Sequence, residues 1–300
     1  MEPLKMYPVG ENLNVMSKVL GPAMKARDPK PIQEMAIAEE KAGVGFIDLN
    51  IGPSRKDGPA IMEFVVQAVQ EVTDLPLWLD TMNIDAMEAG LKVYKPKKAK
   101  CVINSIMARP DRMDALIPMA VKYDAGACAL LWGPDGIPRD TTERGALAAD
   151  IQYRFMEAGI PTEDTWLDPI VSPVSVEINQ VTSCIEFMAM LQDIWPGVQT
   201  TCGLSNISNG SPEHLRPVLN QTYLMMLRRY GMNGPIVDAF DEGLAAICRN
   251  EKLDIEDMVH KLMDGENIDP STLNEEQLKY YKTVRVLMGL SLYSHSWLEV

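Results

Sequence analysis

Residues 46–81, FIDLNIGPSRKDGPAIMEFVVQAVQEVTDLPLWLDT, decide how the chain folds. They open with a short apolar run, FIDLNIG (46–52), and pass through Gly, Pro and charged residues. GPAIMEFVVQAVQEV (58–72) follows, with apolar residues recurring at helical spacing. A second short apolar run, LWLDT (77–81), closes the stretch. Strand, helix and strand in that order make a βαβ unit, and the helical crossover requires its two strands to be parallel. In each strand run an aspartate, Asp48 or Asp80, interrupts the apolar residues.

The alternation continues in both directions. Short runs rich in β-branched residues stand at MYPVGEN (6–12), CVINSI (101–106), CALLWG (128–133), TWLDPIV (165–171), TTCGLSN (200–206) and PIVDAF (235–240). Amphipathic segments lie between them, among them NIDAMEAGLKVY, PDRMDALIPMAVKY, TERGALAADIQYRFMEAG and LRPVLNQTYLMMLRRYG. Eight strands, each followed by a helix, imply an α/β protein whose parallel sheet closes into a (β/α)8 TIM barrel. An open, doubly wound sheet is the other arrangement of such units, but no G-x-G-x-x-G follows the first strand. Residues 1–250 read as the barrel. Residues 251–300 read as a helical extension, too short for a core of its own, that packs on the barrel or on another subunit.

With 300 residues, 46% of them hydrophobic, the chain can build a large core. The net charge of -14 argues against a nucleic-acid partner, since neutralising phosphates takes clustered Lys and Arg. Five scattered cysteines with no C-x-x-C pair fit a reducing, cytoplasmic setting. The N-terminal residues show no secretory h-region. No apolar window approaches the ~18 residues of a membrane span.

In barrels of this kind the active site forms at the C-terminal ends of the strands. There the sequence places Glu11 and Asn12, Asp48 and Asn50, Asp80, Asn104 and Ser105, Trp132, Asp168, Ser205 and Asn206, and Asp238. Asn83 and Asp241 read as helix N-caps. Asp48, Asp80, Asn104, Asp168 and Asn206 differ from those, because each lies within or directly against an apolar run. Polar side chains in such places need partners, and a shared ligand would supply them. His214, His260 and His295 fall outside the strand ends, and no cluster has metal-ligand spacing. Cys202 reads as core. Carboxylates and amides together suit a flat heterocycle whose ring N–H and neighbouring amino group donate side by side to one carboxylate. Pterins and guanine-like rings present that edge.

GENLN, DLNIGP, LDTMN…AMEAGLK, INS, GIPRD, LDPIV.P and GLSNIS occur in this order at barrel-like spacing over residues 8–250. Together they resemble the pterin-binding methyltransferases that move a methyl group between methyltetrahydrofolate and a corrinoid protein. The resemblance implies that Asp80, Asn104 and Asp168 hold the pterin, that Asp48 and Asn50 line the same pocket, and that Gly203 and Ser205 lie beside it. Asn206 would contact the methyl-bearing nitrogen and serve catalysis. Asn209 stands where relatives often carry Gln, and Glu11 and Arg216 are further candidates. Asn12 replaces a usual arginine, Ile106 a usual threonine, and the loop before Arg216 is slightly longer.

The same resemblance implies tetrahydrofolate or methyltetrahydrofolate as substrate and a cobalamin-type corrinoid carried by a partner protein. It also implies no bound metal, and a homodimer formed through a helical face away from an open mouth, where exposed helical methionines could serve. The departures and the extra tail favour transfer from a methylcorrinoid to tetrahydrofolate in a demethylating system. Methylation of a corrinoid iron–sulfur protein for acetyl-CoA synthesis is the alternative, and a non-catalytic folate-binding subunit is a reading of another class. Dihydropteroate synthase would need a strand-end Lys and a Ser-x-Arg element, where PIVDAFDEG offers Asp.

Overall fold

The computed structural model describes residues 4–54 and 56–299. Its parallel strands are β1 (Val9–Gly10), β2 (Phe46–Asn50), β3 (Leu77–Asp80), β4 (Val102–Met107), β5 (Gly126–Leu130), β6 (Thr165–Asp168), β7 (Gln199–Gly203) and β8 (Gly234–Val237). They neighbour one another in sequence order, and β1 pairs with both β2 and β8, so the barrel is closed. The helices are α1 (Leu20–Ala26), α2 (Pro29–Ala42), α3 (Gly58–Gln70), α4 (Ile84–Val93), α5 (Pro110–Lys122), α6 (Thr141–Ala158), α7 (Ile178–Ile194), α8 (Arg216–Arg228), α9 (Glu242–Cys248), α10 (Leu253–Met263) and α11 (Glu275–Leu287). The expected TIM barrel is the observed fold.

Strand limits differ from the sequence reading in two informative places. β1 is only two residues long: Pro8 has no N–H to give a ladder, and its carbonyl accepts instead from Gly45 and Phe46. β7 ends at Gly203, and Leu204–Asn206 form a 3-10 turn, so Asn206 sits just past its strand rather than at its last position. Asn83 and Asp241 do cap helices, accepting from the N–H groups of Ala86 and Leu244. Cys202 is fully buried in the core cluster shared by the barrel wall and its helices.

Strand register explains why polar residues line the mouth. Val9, Trp78, Val102, Cys128 and Trp166 form one buried cluster inside the barrel, with Tyr7, Phe46 and Ile236 packed against it. Trp78 and Trp166 meet edge to face with centroids 5.4 Å apart, and Phe46 lies 5.7 Å from Trp166. Gly234 makes room, since a Cβ there would fall 2.1 Å from the Trp166 ring. Side chains alternate along a strand, so two residues beyond each floor residue the chain faces inward again, one layer higher. Two beyond Phe46, Trp78, Val102 and Trp166 stand Asp48, Asp80, Asn104 and Asp168. An aromatic floor therefore carries a polar layer.

α10 and α11 pack onto α8 and complete its burial. Ile255, Met258, Val259, Tyr280 and Val284 are buried there, and the Tyr280 hydroxyl donates to Gln221 Oε1 at 2.6 Å. The Trp297 indole donates to Thr283 Oγ1 at 3.1 Å, fixing the tail on α11. Among the described residues no helix is long and apolar enough to cross a membrane.

Candidate functional site

The polar layer is held together by its own hydrogen bonds. Asn104 Nδ2 donates to Asp48 Oδ1 at 2.9 Å, and Asn50 Nδ2 donates to Asp80 Oδ2 at 2.5 Å. The Asn50 side-chain oxygen Oδ1 accepts from Gly52 N at 2.9 Å, which turns the chain away from β2. Asp168 is buried, and one of its oxygens accepts from Ile170 N at 2.8 Å. The Cys128 thiol, in the floor beneath, is raised by burial and then by the charges of Asp168, Asp48 and Asp80.

Burial dominates the titration of this layer. It pushes Asp80 up to about 7 against the pull of the Asn50 amide. It raises Asp48 well above the ordinary carboxylate range, with the charge of Asp80 adding to it. Asp168 reaches about 6, held there by main-chain N–H groups that favour its ionised form. Near neutral pH the layer therefore holds protons as well as charge, and can both donate and accept.

A second group gathers where β7 and β8 meet β1. Ser205 Oγ donates to Glu11 Oε1, and Arg216 Nε reaches Ser208 Oγ at 3.3 Å while its charge acts on Glu11. Glu11 is nonetheless raised, with burial the largest cause. Asn12 joins β1 to β8: its amide donates to Asp238 Oδ1 at 2.8 Å and accepts from Ala239 N at 2.9 Å.

The Asn206 amide lies over the end of β7. A Cβ on Gly203 would stand 3.1 Å from Asn206 Nδ2, so a glycine there keeps the space that the amide occupies. Asn206 is exposed to the mouth. Asn209 is exposed at the outer lip, and among the described residues its recorded hydrogen bonds run through its main chain. A separate cavity of about 210 Å³ lies between β1, β8, α2 and α9 and shares Asp238 and Ala239 with this region.

Two charged residues near the site were not among those read from the sequence. Glu39 of α2 is fully buried, accepts from Asn12 N at 2.8 Å through Oε1, and has no partner for Oε2 among the described residues. Arg144 of α6 is fully buried behind the loop that follows Asp168. A signal for each was present. Ile32, Ala36 and Glu39 form one helical stripe, as do Arg144, Ala148, Ile151 and Phe155, so both charges occupy core-facing positions of amphipathic helices.

Burial pushes Glu39 from 4.5 up to about 7. A group raised in the folded state contributes stability below its unfolded value that is lost as pH rises through the folded one. Glu39→Gln keeps an oxygen for the Asn12 N–H but cannot ionise. Its stability relative to wild type should therefore increase by about 3 kcal/mol between pH 4 and pH 8. Urea denaturation at the two pH values checks this, and a difference independent of pH would refute it.

The model for pterin-binding enzymes matches residues 11–238, which contain every residue of the layer. The chain belongs to the pterin-binding enzyme family. The methylcorrinoid:tetrahydrofolate methyltransferase of Eubacterium limosum is 26% identical over 235 residues, covering 78% of this chain and 85% of that protein. The methionine synthase of Mycobacterium leprae is also 26% identical, over 77% of this chain, but the chain spans only 20% of that protein's length. Dihydropteroate synthase structures share the fold. The Yersinia pestis enzyme superposes with a TM-score of 0.60 at 17% identity over 83% of this chain and 94% of its own. The Thermus thermophilus enzyme gives 0.60 at 20% identity over 81% and 93%. The family membership expected from the motifs is thus confirmed.

Proposed function

We propose that this pterin-binding enzyme moves a methyl group between methyltetrahydrofolate and the cobalt of a corrinoid carried by a partner protein. The observation that carries the reading is the layer of Asp48, Asp80, Asn104 and Asp168 on its aromatic floor, with the Asn206 amide above it. A pterin lying on that floor would direct its amino group and adjacent ring N–H to the Asp168 carboxylate. Asp80, Asn104 and the Asp48–Asn50 side would meet its remaining edge, with Gly203 and Ser205 alongside. Similarity to the methylcorrinoid:tetrahydrofolate methyltransferase supports the substrates, and supports transfer toward tetrahydrofolate as the working direction.

Both directions pass through one transition state; followed from methyltetrahydrofolate, the methyl group leaves a tertiary amine nitrogen, which departs poorly unless positive character reaches it. Reduced cobalt in the partner's corrinoid is itself the nucleophile, which leaves the barrel to hold the folate and stabilise the leaving nitrogen. The Asn206 amide can hydrogen-bond to that nitrogen but cannot protonate it. A bond that strengthens as charge develops lowers the barrier. Asp48 and Asp80, holding protons near neutral pH, would order the water that supplies the proton.

A partner carrying so large a group needs an open mouth. Met16, Met82, Trp132, Val176 and Phe240, from the loops after β1, β3, β5, β6 and β8, are exposed around it and would form the apolar part of a docking rim. The longest of the βα loops, residues 204–215, holds two 3-10 turns. Met156 on α6 and Met190 on α7 are exposed and, with Tyr153, offer a helical face for a homodimer. The free cysteines accord with a cytoplasmic place for this one-carbon chemistry.

The test is spectroscopic. Purified protein with cob(I)alamin and methyltetrahydrofolate should produce methylcobalamin, and methylcobalamin with tetrahydrofolate should run the reverse. A folded protein that binds methyltetrahydrofolate yet moves no methyl group in either direction would instead be the silent folate-binding subunit.

A further inference from the structure

Arg144 is completely buried, and every acceptor around it is a carbonyl, amide or hydroxyl oxygen. Nε donates to Pro169 O at 3.1 Å and Nη2 to Ile170 O at 3.2 Å. From the α7 side, Ser183 Oγ accepts from Nη1 at 2.7 Å and Gln180 Oε1 from Nη2 at 2.8 Å. A buried cation with only neutral acceptors is a costly choice at a stripe position that Ala, Ile and Phe fill elsewhere on the same helix.

What the guanidinium holds is the pair of peptide groups directly after Asp168. Ile170 lies at φ 53°, a left-handed conformation that a β-branched residue adopts only when its surroundings impose it. In that conformation its N–H points back to Asp168 Oδ1 at 2.8 Å. Clamping the carbonyls on either side of the turn supplies the constraint. The planar fork of Arg can reach both at once, which the single point of a Lys cannot do.

We propose that Arg144 is a positioning residue for pterin recognition, fixing the orientation of the Asp168 carboxylate through the Pro169–Ile170 turn. It touches neither substrate nor Asp168. The assignment rests on the proposed folate site, and deepens it by naming what holds the carboxylate in place.

Three measurements test it. Arg144→Lys keeps the charge but loses the fork, so methyltetrahydrofolate should bind about tenfold more weakly, about 1.4 kcal/mol. Ser183→Ala, which loosens Arg144 from outside the turn, should weaken binding about two- to threefold. It also decides the matter if the lysine variant does not fold. In amide NMR of the ligand-free protein, the Ile170 N–H should track the titration of Asp168 in wild type and lose that dependence in the variants. Folded variants with wild-type affinity and an unchanged Ile170 titration overturn the assignment. Wild-type protein that fails to bind methyltetrahydrofolate while Ile170 tracks Asp168 would overturn the functional reading and leave the clamp standing.

Discussion

Asn206→Ala should slow methyl transfer by about 10²-fold, the scale expected when one donor to developing charge is removed. Folate affinity should fall less, because the contact strengthens as the nitrogen gains charge rather than when folate first binds. The Asn206 amide follows β7 in a 3-10 turn, lies next to Gly203 and is exposed. The fold should be untouched, since an exposed side chain is shortened, and thermal unfolding provides that control. Single-turnover rates at saturating methyltetrahydrofolate measure the effect. A rate equal to wild type would remove Asn206 from the chemistry.

Asp168→Asn should weaken methyltetrahydrofolate binding by about 10²–10³-fold, because the two charge-assisted hydrogen bonds proposed from the pterin edge would lose their acceptor charge. The wild-type pH profile should report the same group. Burial raises Asp168 to about 6, and its protonated form cannot accept both donors. The Asp168 contribution to affinity should therefore level off above pH 6 and fall about tenfold per unit well below it, as binding must first expel the proton. The asparagine variant should lose that slope. Calorimetric titration across pH 5–8 makes both comparisons, and a variant with wild-type affinity would take Asp168 out of the pterin site.

The layer was legible because strands alternate. A carboxylate or amide inside an otherwise apolar run stands out, and Asp48, Asp80, Asn104 and Asp168 all did. The end of β7 was harder to place. Gly203-Leu204-Ser205 reads as continued strand, and nothing local marks the point where the pairing with β8 gives way to a 3-10 turn. β1 was overlong in the sequence reading because the apolar run is real, while Pro8 limits the ladder. Glu39 and Arg144 went unnoticed for a different reason. Charged residues on helices are normally solvated, and only their register with Ala36 and Ala148 signals that these two face inward.

The indole floor has a consequence for traffic. Trp78 and Trp166, seated with Phe46 across the barrel, pack its lower end with aromatic rings and set the polar layer toward the mouth. If the proposed function holds, folate and corrinoid would both enter at the mouth, and the folate would lie deeper, its pterin against the rings and its methyl toward the opening. A protein-borne corrinoid covering the mouth would then shut the folate in. The order of arrival would follow: folate first, carrier second, and the carrier the first to leave.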